Sequence, residues 1–504
     1  MDWLNESHGA IDFGYNATES TKNRKAPRQK LTSEDDHLNP QSRRALTATT
    51  RDLRRNEVTA RWVLGKHIDF VVKHNFQPNT GEEALDETLK EFYRIASRKE
   101  NFDLSGRHNL EGFMRILEGN RVIDGDVYCV RQRGGFLQAI ESDRVRQPTE
   151  KNVGLTPSNT YTDSRMNDWV QGVKIDASGR HKQYAVHRRI QGNFEFERFI
   201  SAKKVIPYGF WDRFDQTRGI SPLASVINTV QDLNESYDYA LAKAKVAQIF
   251  ALTITREAQW GLGDDDESDG NQDPNTSVKL DKGAMILDLD AGEDAKFLTA
   301  NTPEGDTQAF WKDMIAMVCK SLNIPYSFWD ESFTNFNGSR TALILYLRSV
   351  EKYREDQVAF RNDWFSWRLK IGVLKGEIQL PSTFEIDPKN WLWIPDGLQY
   401  WDTMKEANAD IALIENGLRS RTEIRRERFG DEWSDVAKKL AEEQEMMEEL
   451  NILPPSLTPP PEPVLPEDPS NPEDPKGDKP EDPKGDKPKD PKAPPTKKAP
   501  PNGK

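Results

Sequence analysis

Residues 208–250 read YGFWDRFDQTRGISPLASVINTVQDLNESYDYALAKAKVAQIF, a sharp polar turn that opens into one long helix. Ser221 has a side-chain oxygen suited to capping the first amides. Pro222 fits the first helical position, where its missing N–H costs nothing. Leu223, Val226, Ile227, Val230, Leu233, Tyr237, Leu241 and Ala244 recur at helical spacing and make one stripe apolar. Asn228, Asp232, Glu235 and Asp238 occupy the other side. A monomer would turn that side to solvent.

Working outward, the composition removes several classes. The chain has 504 residues, enough for two or three domains, but only 36% are apolar and 30% are charged, a balance suited to an extended or assembling protein. A net charge of −13 argues against a broadly basic nucleic-acid binder. Cys129 and Cys319 are the only cysteines, which excludes a disulfide scaffold and a cysteine zinc site. The start, MDWLNESHGAIDFGYNATES, lacks the basic and then apolar pattern of a secretory signal, and no run approaches a membrane span. A soluble cytosolic multi-domain protein without membrane contact is the expectation.

Upstream, residues 1–40 read as a partly irregular arm. A helical pattern follows from Gln41 to Val72, and two more helix-like segments lie within 83–119. Gly134-Gly135 divides two β-rich runs into a hairpin over 124–140, and a second sheet-rich stretch covers 172–206 with a turn at 176–179. Downstream, an acidic loop at 261–270 precedes strand-like segments at 278–280, 284–289 and 296–298. A second capped helix opens at Thr302-Pro303 and stops at 323–325, and a third long helix starts near Ser339-Arg340 and runs to about Leu374. Two helical runs, 406–415 and 431–450, follow Trp391-Leu392-Trp393. Beyond Leu453 the last 51 residues hold 18 of the 31 prolines and repeat EDPKGDKP in tandem at 473–488, a composition that buries no apolar area. The expected class is helix-dominated α+β.

The turn Gln216-Thr217-Arg218-Gly219 with its Ser-Pro helix, the Ser339-Arg340-Thr341-Ala342 opening of the third helix, and the order Gly125-Asp126-Val127-Tyr128 together resemble the portal proteins of tailed bacteriophages, lambda type. Arg51–Asn56 ahead of an apolar helix, residues 414–418 and residues 428–431 match the same pattern, so the resemblance spans roughly 40–450. It implies a wing over 41–210, a first stem helix over 211–248, a clip over 249–302 and a second stem helix over 303–324. A tunnel loop over 325–339, a long helix returning to the wing over 340–390, a crown-like helical region over 391–453 and the proline-rich, disordered tail over 454–504 complete the layout. It further implies a ring of about twelve subunits at one capsid vertex. Viral double-stranded DNA would be packaged and ejected through it. The terminase large subunit, head-completion or adaptor proteins, the major capsid protein and the scaffold would be partners. Such a protein would be assembled in the host cytoplasm, end in the virion, and come from a phage or a prophage. The acidic clip and the repeat tail depart from the family pattern.

Candidate site residues follow from that layout. Asp232, Glu235 and Asp238 would line the channel, where like charge repels phosphate and lets DNA slide. Thr334, Asn335, Phe336 and Asn337 would form the DNA-facing tunnel loop, with asparagine amides touching backbone oxygens without reading sequence. Asp264, Asp265, Asp266 and Glu267 would present the motor-docking charge of the clip. A calcium loop is a poor reading of that stretch: counting from Asp265, Glu267, Asp269 and Gly270 fit, but the closing twelfth position is Thr276. No P-loop, H-E-x-x-H or G-x-S-x-G motif occurs, and the seven histidines are scattered, so no cofactor, metal or covalent chemistry is expected. The alternative reading is a metal-dependent hydrolase or nuclease of a phage-derived element.

Overall fold

The computed structural model describes residues 32–153, 168–249, 252–256, 293–297, 305–330, 336–398, 400, 402–450 and 452. The chain divides into two compact units, Met1–Ala437 and Lys438–Lys504. In the first, helix α1 (Glu34–His37) leads into α2 (Pro40–Asn56), whose first turn is closed by Asn39 accepting from the amides of Gln41 and Ser42. The helical pattern of 41–72 is two helices, α2 and α3 (Val58–Val71), because Glu57 is extended at φ −109° and ψ 118°. Strand β1 (His74–Pro78), α4 (Glu83–Ala96), α5 (Lys99–Phe102) and α6 (Leu110–Asp124) follow.

The expected hairpin is β2 (Asp126–Arg131) and β3 (Leu137–Glu141), turning through Gly134 and Gly135 at φ +88° and +93°. The second β-rich stretch supplies β4 (Trp169–Val170), β5 (Val173–Ile175), β6 (His181–Ile190), β7 (Asn193–Ser201) and β8 (Val205–Gly209). β3-β2-β8 is one antiparallel sheet, and β4-β5-β6-β7 is an antiparallel meander. Tyr128, Val130, Ile140, Tyr184, Val186 and Ile200 are among the buried side chains that join them in one core.

Past the sheets, a 3-10 turn (Pro222–Val226) feeds α7 (Ile227–Ile249), with the amide of Leu223 bonded to Ser221 Oγ at 3.1 Å. β9 (Leu252–Arg256) pairs antiparallel with β10 (Glu293–Phe297), and α8 (Gly305–Lys320) returns to pack on α7. α9 (Ser327–Asp330) precedes α10 (Phe336–Lys375), a helix of 40 residues and so roughly 60 Å long. β11 (Trp391–Pro395), α11 (Thr403–Glu415), α12 (Arg421–Phe429) and α13 (Trp433–Glu449) complete the order. The second unit is described over 438–450 and at 452, and its residues 438–449 are helical.

α10 organises two cores. Tyr346 and Val350 in its first half pack with α3, the α7 entry and α8, while Phe360, Trp364, Phe365 and Leu369 pack with α4, α6 and the outer face of the first sheet. Burying each of these large side chains contributes about 1.5–3 kcal/mol.

Several expectations need correction. The third helix begins at Phe336, not at 339–340, so Phe336 and Asn337 belong to its first turn and not to a loop; Asn and Gly are tolerated there because first-turn amides need no intrahelical partner. The expected crown-like helical region starts with a strand, β11, which pairs antiparallel with β1 and packs in the core shared with α4, α6 and α10. α12 was not anticipated. Of the clip strands, 296–298 is observed as 293–297, and 278–280 and 284–289 lie outside the described residues. The apolar stripe of α7 is buried through Leu233, but Tyr237 and Leu241 are exposed. Among the described residues, no helix is long and apolar enough to cross a membrane.

Candidate functional site

The turn that precedes α7 is built around a buried ion pair. Arg218 is fully buried and grips Asp126 with both ends of its fork, Nε to Oδ2 at 2.7 Å and Nη2 to Oδ1 at 2.8 Å. Its remaining donors reach carbonyl oxygens of Val145 at 2.9 Å, Gln171 at 2.7 Å and Ser142 at 3.0 Å. Asp126 also accepts from the Gly219 amide at 2.9 Å, from the Tyr128 hydroxyl at 3.0 Å and from the Ser142 hydroxyl. Burial alone would raise the Asp126 carboxyl, but the Arg218 charge and its hydrogen bonds hold it well below the usual carboxylate range. A pair this complete fixes the angle at which α7 leaves the sheets.

Flanking residues seat the same turn from other sides. Thr217 donates its amide and hydroxyl to Asp35 of α1 at 3.0 and 2.7 Å. Ser221 Oγ donates to the Val122 carbonyl of α6 at 2.6 Å. Gly219 lies against Gly125 so closely that a Cβ there would sit 2.2 Å from the Gly125 carbonyl oxygen.

A second buried cluster ties α10 to α3, α6 and β8. Glu118 of α6 pairs with His67 Nε2 of α3 at 2.8 Å and accepts from the Tyr208 hydroxyl of β8 and from Gln357 Nε2 of α10 at 2.9 Å. Burial raises the Glu118 carboxyl, but Arg121, His67 and Tyr208 outweigh it and bring it down to about 2. Arg121 stacks on Phe210 and Tyr208 at 4.0 and 4.4 Å and reaches Asp356 of α10 at 2.8 Å. His67 and His74 are buried, the first as a partner of Glu118.

The residues named from the sequence fall elsewhere. Asp232, Glu235 and Asp238 are all exposed along α7. Thr334 and Asn335 lie outside the described residues, as do Asp264, Asp265, Asp266 and Glu267, the arm over 1–31 and the tail over 454–504. Sequence reasoning missed Glu118 and the Asp126–Arg218 pairing, although a carboxylate opening the apolar strand Val127–Val130 was a visible anomaly.

Comparison with known proteins decides the family. Residues 20–354 match the family model described as phage portal protein, lambda family. The chain belongs to that family. It is therefore a portal protein, a connector and not a member of an enzyme family, and the Gln216–Gly219 turn that carried the resemblance is the buried joint ahead of α7. The match gives no support to the hydrolase reading. No curated protein sequence matches the chain. Among solved structures, a chain of a native gene transfer agent virion shares 12% identity at a TM-score of 0.46, covering 77% of this chain and 92% of its own. A chain from the neck of an empty gene transfer agent particle, computed with C6 symmetry, shares 12% at 0.48, covering 75% and 92%. One from the native neck, computed with C12 symmetry, shares 14% at 0.46, covering 77% and 92%.

Proposed function

We propose that about twelve copies of this portal protein close into a ring at one capsid vertex, through which double-stranded DNA is packaged and later ejected. The observation that carries ring closure is the split character of α7. Its stripe is satisfied within the chain up to Leu233, and then leaves Tyr237 40% and Leu241 53% exposed, beside Phe310 57% and Met317 58% exposed on α8. Apolar surface on two paired helices is covered most simply by the same helices of a neighbour, in a heterologous contact that closes by rotation.

In that ring Asp232, Glu235 and Asp238 line the channel, and Thr334, Asn335, Phe336 and Asn337 face DNA. Asp264–Glu267 offer the terminase large subunit an acidic face. The major capsid protein and scaffold surround the wing, and head-completion proteins replace the motor after filling. The protein resides in the virion after assembly in the host cytoplasm, and does no covalent chemistry. Replacing Asp232, Glu235 and Asp238 together with Lys tests the channel reading. Rings should still assemble, retain DNA in a salt-sensitive manner and package less of it. Unchanged packaging with no retained DNA removes these carboxylates from the channel wall.

A further inference from the structure

Between the start of α2 and the meander lies a cavity of about 220 Å³ whose charge is one-sided. Four arginines line it, Arg43, Arg44 and Arg51 from α2 and Arg146 from the segment before β4, against a single carboxylate, Asp143. That carboxylate is already taken, by Arg51 at 3.2 Å and Arg189 at 2.5 Å, and Arg51 is itself held by Asp124 at 2.6 Å. Arg44 and Arg146 have no carboxylate within ion-pair distance among the described residues. Their mutual repulsion adds to burial in lowering the Arg146 guanidinium, which is stacked on Phe194 at 3.9 Å.

Arg43 supplies an independent sign. It is 9% exposed and lines the cavity; Nη2 donates to Ser142, while its buried Nε–H has no acceptor. A buried guanidinium donor left unmade is costly, and Arg44 and Arg146 line the same cavity with no carboxylate at ion-pair distance among the described residues. The amides of the first α2 turn are occupied by Asn39, so the helix adds only the positive end of its dipole.

We propose that this cavity binds a phosphate group, free or carried on a nucleic-acid backbone. A tetrahedral oxyanion presents oxygens to three separate guanidiniums at once, whereas a carboxylate offers two in one plane. The volume admits a phosphate group, and duplex DNA could engage it through a backbone phosphate at its mouth.

The test is thermal unfolding of the full chain in inorganic phosphate and in chloride at matched ionic strength, beside an Arg44→Gln, Arg146→Gln double variant. Phosphate at about tenfold its Kd should raise the wild-type Tm by about 2 °C. The variant should lose that increment while keeping its Tm in chloride, since it removes two unpaired charges. A duplex of about twenty base pairs that reproduces the increment identifies DNA as the source; an increment with inorganic phosphate alone identifies a free phosphate. Equal Tm in phosphate and chloride with no effect of the duplex overturns the proposal. So does an increment that survives in the variant, or a variant that loses only self-association, which would make the occupant a carboxylate of a second copy.

Discussion

At the scale of single residues, one close approach and two buried carboxylates hold the portal subunit in shape. Gly219→Ala would drive a methyl group into the Gly125 carbonyl, so the variant should lose several kcal/mol, on the order of 3 or more, in urea unfolding. Gly65→Ala, inside α3 with nothing within 4 Å of the new Cβ, should gain about 0.5–1 kcal/mol in the same assay. A loss from Gly65→Ala, or a neutral Gly219→Ala, would contradict the packing described. Arg218→Ala leaves Asp126 buried without its partner and should cost about 3–5 kcal/mol. The carboxyls of Glu118 and Asp126 are lower when folded than when unfolded, so their contribution is fully present above the unfolded value, 4.5 for Glu118, and lost on acidification. The Tm should therefore fall between about pH 4.5 and pH 2, and Glu118→Gln should flatten part of that slope; an unchanged slope would show that Glu118 carries none of it. Asp126 was legible as a charge opening an apolar strand. Its partner was not, because Arg218 stands 92 positions later and only the folded sheets bring the two together.

At the scale of elements, period-3.6 stripes announced α7, α8 and α10, which bury apolar side chains against the cores, α7 in its first half only. β1 gave no such signal: His74–Pro78 is polar, ends in Pro, and is a strand only because β11 pairs with it from more than 300 residues away. α12 was hidden for a related reason, since Ile424 is its only buried residue and its stability comes from a Ser420–Glu423 capping box and arginine pairs to Glu406, Asp410, Asp431 and Glu432. The loop-like Asn335-Phe336-Asn337-Gly338 misled because turn-favouring residues also suit a helix's first turn. The exposed apolar ends of α7 and α8 carry the prediction at this scale. Replacing Leu241 and Phe310 together with Ser should change subunit stability by less than about 1 kcal/mol, since both are more than half exposed, yet abolish the ring in negative-stain images. Rings that persist would place the subunit contact on other surfaces.

At the scale of the whole molecule, the family match over 20–354 and the two-core organisation around α10 describe one subunit of a connector. The proposed ring would turn the exposed apolar surface of α7 and α8 into buried interface and give the acidic face of α7 a lumen to line. The fold class was legible because composition and periodicity act locally. The proposed assembly rests on the resemblance, because surfaces that would meet between copies leave no local pattern in one chain. The most direct test is the solution mass of the purified full chain by light scattering across salt and dilution. The account predicts a particle of about 0.7 MDa, about twelve times the 57.7 kDa chain, that resists dilution. A single species at 57.7 kDa under all those conditions would contradict it.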